Sequence, residues 1–217
     1  MKYAKELNEL YGEEVFCIEE ELKLLDKIEK SVFVLEFDSS DDYVQGSGFI
    51  VKNIGLLTNY HVTENNEMYI ASTYKREKKY CVSNESNLVK NNEEIDYACY
   101  KCGKLDENAL ELGTSKELDI GSTVLVVGYP DYCNGNSPEI QTVNIISERF
   151  FMRQKVYTIS GRIVHGASGG VVLNMSHQVV GVIRCGPVTF KDKEKESDSS
   201  AVHGFIPIDD IINDLKL

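Results

Sequence analysis

Arg162-Ile163-Val164-His165-Gly166-Ala167-Ser168-Gly169-Gly170-Val171-Val172-Leu173 is the stretch on which the reading of this chain turns. A serine with glycines on both sides lies where the backbone can turn sharply, approach a neighbour closely and aim its own N–H groups at a ligand. A nucleophilic serine needs all three. The plain alternative is a glycine-rich hairpin turn that happens to hold a serine, so its partners must decide.

A serine hydroxyl is a weak nucleophile at neutral pH and requires a base, a group that orients the base, and donors for the developing oxyanion. The histidines are His61, His165, His177 and His203. His61 closes Gly55-Leu56-Leu57-Thr58-Asn59-Tyr60-His61-Val62, an apolar strand turning polar, which predicts an imidazole at a strand end facing a cleft. His165 reads as a solvated loop residue and His177, in Asn174-Met175-Ser176-His177-Gln178, as surface. Among the aspartates between His61 and Ser168, Asp106, Asp119 and Asp131 sit in turn-like surroundings. Asp96 instead heads the apolar run Ile95-Asp96-Tyr97-Ala98-Cys99-Tyr100, where a carboxylate must be hydrogen-bonded or costly.

Around these residues the chain changes character once. Residues 3–30 carry Leu7, Leu10, Ile18, Leu22, Leu25 and Ile28 at three- and four-residue spacing, predicting two helices broken near Gly12. Strand-like runs follow at 31–37, 46–52, 54–62, 67–74, 78–82, 95–102, 123–128, 140–147, 155–159, 171–174, 178–185 and 201–206, with no regular alternation of strand and helix. Residues 191–200 read as an exposed loop tip and 208–215 as a short helix with acidic residues in its first turn. The expected class is mainly β, an antiparallel barrel or sandwich.

Composition narrows the function. At 217 residues the chain can bury a substantial core, and a net charge of -12 disfavours a nucleic-acid or anionic-membrane surface. Charges in the first nine residues interrupt any signal-peptide core, and no run approaches the ~18 apolar residues of a membrane span. The expectation is a soluble, cytoplasmic chain with no nucleic-acid or membrane partner. Six cysteines lack framework spacing and read as free thiols. Cys99 and Cys102, three apart on a strand, point to opposite faces, which argues against a metal site; no metal or cofactor is expected.

The order histidine, aspartate, serine brings out a resemblance. Gly46-Ser47-Gly48-Phe49-Ile50-Val51, Leu57-Thr58-Asn59-Tyr60-His61-Val62, Ile95-Asp96-Tyr97-Ala98, Leu118-Asp119-Ile120-Gly121-Ser122-Thr123-Val124-Leu125-Val126-Val127-Gly128-Tyr129-Pro130, Gly166-Ala167-Ser168-Gly169-Gly170, Gln178-Val179-Val180-Gly181-Val182-Ile183 and Gly204-Phe205-Ile206-Pro207-Ile208 occur in sequence. Together, over roughly residues 31–217, they resemble a trypsin-like serine peptidase of the chymotrypsin superfamily, nearest the bacterial HtrA-like (Deg-type) group. An α/β-hydrolase elbow also carries Gly-x-Ser-x-Gly, but there a helix follows the serine, whereas here a strand-like run follows.

The resemblance implies two six-stranded antiparallel barrels with an N-terminal helical extension (1–30), a first barrel (31–117) holding His61 and Asp96, and a second barrel (118–217) holding Ser168 and a C-terminal helix. It implies that His61 is the base and then the acid, that Asp96 orients it, and that Ser168 forms an acyl-enzyme. The N–H groups of Gly166 and Ser168 would form the oxyanion hole. Secreted digestive members have an aspartate before the nucleophile that pairs with a new N-terminus; Ala167 excludes that activation switch. Positions lining the primary pocket correspond to Arg162, Ile163, Arg184, Gly186 and His203. Two arginines and a histidine would favour an acidic P1 side chain, while Arg162 in solvent and Ile163 in the pocket would favour a small apolar one. The expected activity is a serine endopeptidase acting on protein or peptide substrates. The alternatives are a protease-fold binding or sensor module regulated by a partner at residues 3–30, and a protease subunit of a larger stress or defence assembly.

Overall fold

Strands apolar on both faces determine the layering. In the computed structural model, which describes residues 13–38, 43–65, 67–74, 79–102, 108–151, 154–186 and 202–216, alternate residues of one strand serve different cores. Strand β1 (Val32–Asp38) sends Phe33 and Leu35 into one barrel interior and Val32 and Val34 into a central layer between barrels. Strand β8 (Thr123–Gly128) does the same for the second unit, with Val124 and Val126 inward and Leu125 and Val127 in the central layer. This is why 32–35 and 124–127 read as continuous apolar runs.

The remaining elements of the first unit are helix α1 (Glu13–Ser31), β2 (Tyr43–Val51), β3 (Gly55–Thr58), the single helical turn α2 (Tyr60–Thr63), β4 (Met68–Ser72), β5 (Lys79–Ser83), β6 (Leu88–Asn92) and β7 (Tyr97–Tyr100). They form a seven-stranded sheet in the order β5-β4-β1-β2-β3-β7-β6, rather than a closed six-stranded barrel. The edge strands β5 and β6 are joined by the turn 84–87, so the sheet curls until its edges meet there. Asn87 stitches the seam: its Oδ1 accepts from the Ser83 N–H at 2.6 Å, its Nδ2 reaches the Cys81 and Lys101 carbonyls, and the Lys101 N–H donates to its carbonyl. Side-chain bonds take over where the strand ladder stops.

The second unit is closed: β10 (Gln154–Ile159), β13 (Val202–Pro207), β12 (Val179–Gly186), β11 (Val171–Leu173), β8 and β9 (Glu139–Phe151) form a six-stranded antiparallel barrel, followed by helix α3 (Ile208–Leu215). The mainly β architecture expected from the sequence is therefore present, with one closed barrel and one curled sheet. Strand β6, Leu88-Val89-Lys90-Asn91-Asn92, is absent from the sequence reading because an edge strand this polar has no apolar face to signal it. The predicted run 54–62 divides into β3 and α2, so His61 stands on a helical turn and not at a strand end.

Among its described side chains, helix α1 docks through Ile28, buried in the central layer, with Leu24 beside it, whereas Leu22 and Leu25 of the predicted apolar stripe are 59% and 43% exposed. The helix predicted before Gly12 and the loop tip predicted at 191–200 lie outside the described residues. Among the described residues no helix is long and apolar enough to cross a membrane.

Three polar clusters tie the units together. Asp214 of α3 accepts from the Tyr97 hydroxyl at 2.6 Å and from Asn92 Nδ2 at 3.2 Å, with Lys90 Nζ at 3.0 Å, all from the first sheet. Asp209 accepts from the Ser115 N–H and hydroxyl and the Thr114 hydroxyl in the connecting segment. Ser47 of β2 donates its hydroxyl to the Gly166 carbonyl at 2.7 Å and accepts the Tyr129 N–H at 2.9 Å, while its own N–H reaches the Ser168 carbonyl at 2.8 Å.

Hydrogen bonds from Tyr97, then Lys90 and Asn92, hold the Asp214 carboxyl below the usual carboxylate range. Burial pulls Asp209 upward, but the bonds from Ser115 and Thr114 outweigh it and its carboxyl also lies low. A carboxyl that titrates lower folded than unfolded stabilises the fold above about pH 4 and ceases to do so as pH falls through the folded value. Asp214→Asn is expected to lower stability by about 1–2 kcal/mol at neutral pH, and the gap in Tm between it and the wild type should close as melting is repeated below about pH 4. Ser47→Ala leaves the half-buried Gly166 carbonyl and the buried Tyr129 N–H without this partner and is expected to cost about 1–3 kcal/mol by denaturant titration.

Candidate active site

The candidate acid, Asp96, is positioned by a tight hairpin. Asn92 Oδ1 accepts the Glu94 and Ile95 N–H groups, and the Asn92 carbonyl takes the Asp96 N–H at 2.9 Å, closing the β6–β7 turn. Asp96 ends this turn with φ 64°, a left-handed conformation that costs an L-residue roughly 1 kcal/mol and that aspartate tolerates better than most. Its carboxyl group is 5% exposed.

The candidate base, His61, arrives from the adjacent strand. Thr58 ends β3 with its hydroxyl on the Ser47 carbonyl at 2.7 Å, and Asn59 Nδ2 donates to the Asp96 carbonyl at 2.9 Å. The helical turn that follows brings the His61 N–H 3.1 Å from Asp96 Oδ1 and His61 Nδ1 2.9 Å from both carboxylate oxygens. A carboxylate only accepts, so Nδ1 carries the proton and Nε2 is left as the acceptor. The imidazole is 39% exposed.

The candidate nucleophile, Ser168, comes from the other barrel. Ser168 is 7% exposed, and its hydroxyl donates to the Cys185 carbonyl at 3.0 Å and receives the Cys185 N–H at 3.3 Å. The described hydrogen bonds of Ser168 Oγ are thus with the main chain of β12, and none is with His61. The structure brings the histidine and aspartate into contact and holds the serine hydroxyl on the Cys185 main chain. The loop around it is tightly held: the His165 carbonyl takes the Asp131 N–H at 2.8 Å, and the Gly169 N–H donates to the Ile183 carbonyl at 3.0 Å. In a trans peptide the N–H points opposite the carbonyl, so pinning His165 O on Asp131 turns the Gly166 N–H the other way. Among the described residues neither the Gly166 nor the Ser168 N–H has a protein acceptor.

The glycines have two different duties. Gly166 adopts φ 88°, and a Cβ there would stand 2.5 Å from the Tyr129 carbonyl. Gly169, with φ 82°, would place a Cβ 2.2 Å from the Ser47 carbonyl and 2.3 Å from the Thr58 hydroxyl. The close approach that the second requires is to the first sheet's backbone and not to a ligand.

The residues expected at the primary pocket diverge. Arg162 is exposed, and its carbonyl accepts from Gln141. Ile163 is 4% exposed and packed in the second barrel's interior. Arg184 directs Nε to Asp96 Oδ2 at 3.2 Å. Gly186 ends β12 opposite Val202. His203 accepts the Ile163 N–H on Nδ1 at 3.2 Å, which leaves its proton on Nε2. Cys185 is also there, with its Sγ 3.4 Å from the Ile163 carbonyl and its thiol pushed up by burial. Beneath the loop, Ala167 is buried against the barrel interior, where no acidic side chain would fit without a partner. The contributions of Ser47 and of the Cys185 main chain were not read from the sequence; a Gly-Ser-Gly strand signals a close approach, but not to what.

With the geometry described, similarity to known proteins can be placed beside it. The chain is 30% identical over 160 residues to the anti-sigma-I factor RsgI9 of Acetivibrio thermocellus, a match covering 73% of this chain and 22% of that one. Among solved structures it superposes on the HtrA-type protease AlgW with tripeptide at a TM-score of 0.70 and 21% identity, over 89% of this chain and 61% of that one. It also superposes on the active form of the Rv3671c protease from M. tuberculosis, at 0.66 and 20% over 88% and 82%, and on the serine endoprotease from Yersinia pestis, at 0.66 and 19% over 88% and 65%. At these identities the superpositions establish the fold. A trypsin-like peptidase domain is recognised over residues 46–182, which hold His61, Asp96 and Ser168, and the chain belongs to that family.

Proposed function

We propose that the protein is a serine endopeptidase in which His61, Asp96 and Ser168 act as the triad. The observation that carries this is the paired contact of His61 Nδ1 and the His61 N–H with one buried carboxylate, which makes Nε2 the acceptor nitrogen of the neutral imidazole. The Ser168 hydroxyl leaves Cys185 and turns to His61 Nε2, which takes its proton as Oγ attacks the scissile carbonyl. The oxyanion is held by the Gly166 and Ser168 N–H groups, both free among the described residues. The imidazolium then protonates the leaving amine, and water releases the acyl group by the same steps in reverse.

At P1 we propose a side chain that accepts a hydrogen bond, glutamate or aspartate above all. Its support is His203, whose Nε2–H is a donor once Nδ1 is committed to Ile163, together with the exposed guanidinium of Arg162. A second reading is favoured by the resting place of Ser168 Oγ on Cys185 and by the likeness to an anti-sigma factor: a protease-fold sensor whose serine engages His61 only when a partner binds.

A fluorophosphonate probe is expected to label the wild type, and Ser168→Ala is expected to abolish both labelling and peptide cleavage. Labelling that occurs only with a partner present would favour the sensor reading, and a chain that is never labelled would overturn the peptidase. A positional peptide library is expected to enrich acidic P1 residues; a profile confined to small aliphatic P1 residues would overturn the pocket assignment.

A further inference from the structure

We propose that Arg184 is a positioning residue of the triad: reaching across the cleft from the second barrel, its guanidinium fixes the Asp96 carboxylate against His61. The proposal rests on the peptidase reading above. Arg184 Nε lies 3.2 Å from Asp96 Oδ2, with the arginine side chain 25% exposed and that of Asp96 5%. The base step of the proposed mechanism starts from a neutral imidazole, which carries no charge to offset the carboxylate. Among the described residues Arg184 is thus the one full cation paired with this carboxylate at rest, and a carboxylate that deeply buried is costly without such a partner.

Geometry gives the arginine its task. His61 Nδ1 is equidistant from the two carboxylate oxygens, at 2.9 Å each, so that contact alone does not select a rotation of the carboxylate. The terminal torsion of aspartate is broad and leaves the group free to pivot. The His61 N–H on Oδ1 and the Arg184 Nε on Oδ2 hold the two oxygens from opposite barrels and fix the plane that faces the imidazole. The neighbouring residue, Cys185, holds the Ser168 hydroxyl by its main chain. Two successive residues of β12 therefore touch the acid and the nucleophile, and a shift of this strand moves both ends of the triad together.

The test is a double-mutant cycle on the full chain. Arg184→Ala is expected to lower kcat by about 10–100-fold, as for other groups that orient a catalytic side chain, with KM held. Arg184→Lys should recover part of the loss. In an Asp96→Ala background Arg184→Ala should cost nothing more, because its effect passes through the carboxylate. The preference between P1 glutamate and P1 glutamine peptides should not move. Equal losses in both backgrounds, or a loss confined to KM and to acidic P1 peptides, would overturn the proposal and return Arg184 to the pocket.

A second measurement needs no turnover. In Ser168→Ala protein with isotope-labelled histidine, the hydrogen-bonded Nδ1 proton of His61 should give a low-field resonance. It should broaden or vanish in Arg184→Ala and in Arg184→Gln, the latter kept in case the alanine variant does not fold, and return in Arg184→Lys. An unchanged resonance in the folded variants overturns the proposal even if the wild type cleaves peptides. A wild type that never cleaves overturns the peptidase reading, while the resonance still decides the role of Arg184.

Discussion

The site depends on one seam, where Ser47 of the first sheet meets the serine loop of the second barrel. The Ser47 N–H on the Ser168 carbonyl, its hydroxyl on the Gly166 carbonyl and the Tyr129 N–H on that same hydroxyl register the Ser168 backbone against the sheet that carries His61 and Asp96. Gly169 makes the seam possible, since any side chain there would collide with the Ser47 carbonyl and the Thr58 hydroxyl. A two-barrel peptidase whose reacting groups come from different units needs such a joint, because a misplacement of about 1 Å costs roughly 100-fold in rate.

Around this seam the polar groups divide their roles by depth. At the back, Asp214 and Asp209 of the terminal helix tie the barrels by hydrogen bonds to neutral and cationic donors. At the front, the Asp96 carboxylate collects the His61 imidazole from one side and the Arg184 guanidinium from the other. Under the role proposed for Arg184, His203 and the exposed Arg162 are the candidates for P1 recognition.

The legible part of the site was the part written in short, local strings. The glycines about Ser168 announce a backbone conformation that few other residues tolerate, and Asp96 stands out as a carboxylate entering an apolar run. The class of the fold was readable because its strands are short, apolar and separated by turns. Strand β6 escaped because its side chains are polar, and the open first sheet escaped because the closure at Asn87 is a set of side-chain bonds that no periodicity records. The Arg184–Asp96 pair spans eighty-eight positions, and nothing local to either residue points to the other.

By itself, then, the sequence determined a mainly β chain with a histidine, an aspartate and a glycine-flanked serine in that order, because residue type, spacing and the intolerance of certain backbone angles are local properties. Tertiary structure decided where those groups point: His61 onto a helical turn, Ser168 Oγ onto the Cys185 main chain, Arg184 onto Asp96. The reason is that side-chain direction at a joint between two barrels follows from how the barrels pack, and packing sums contacts between residues far apart in the chain.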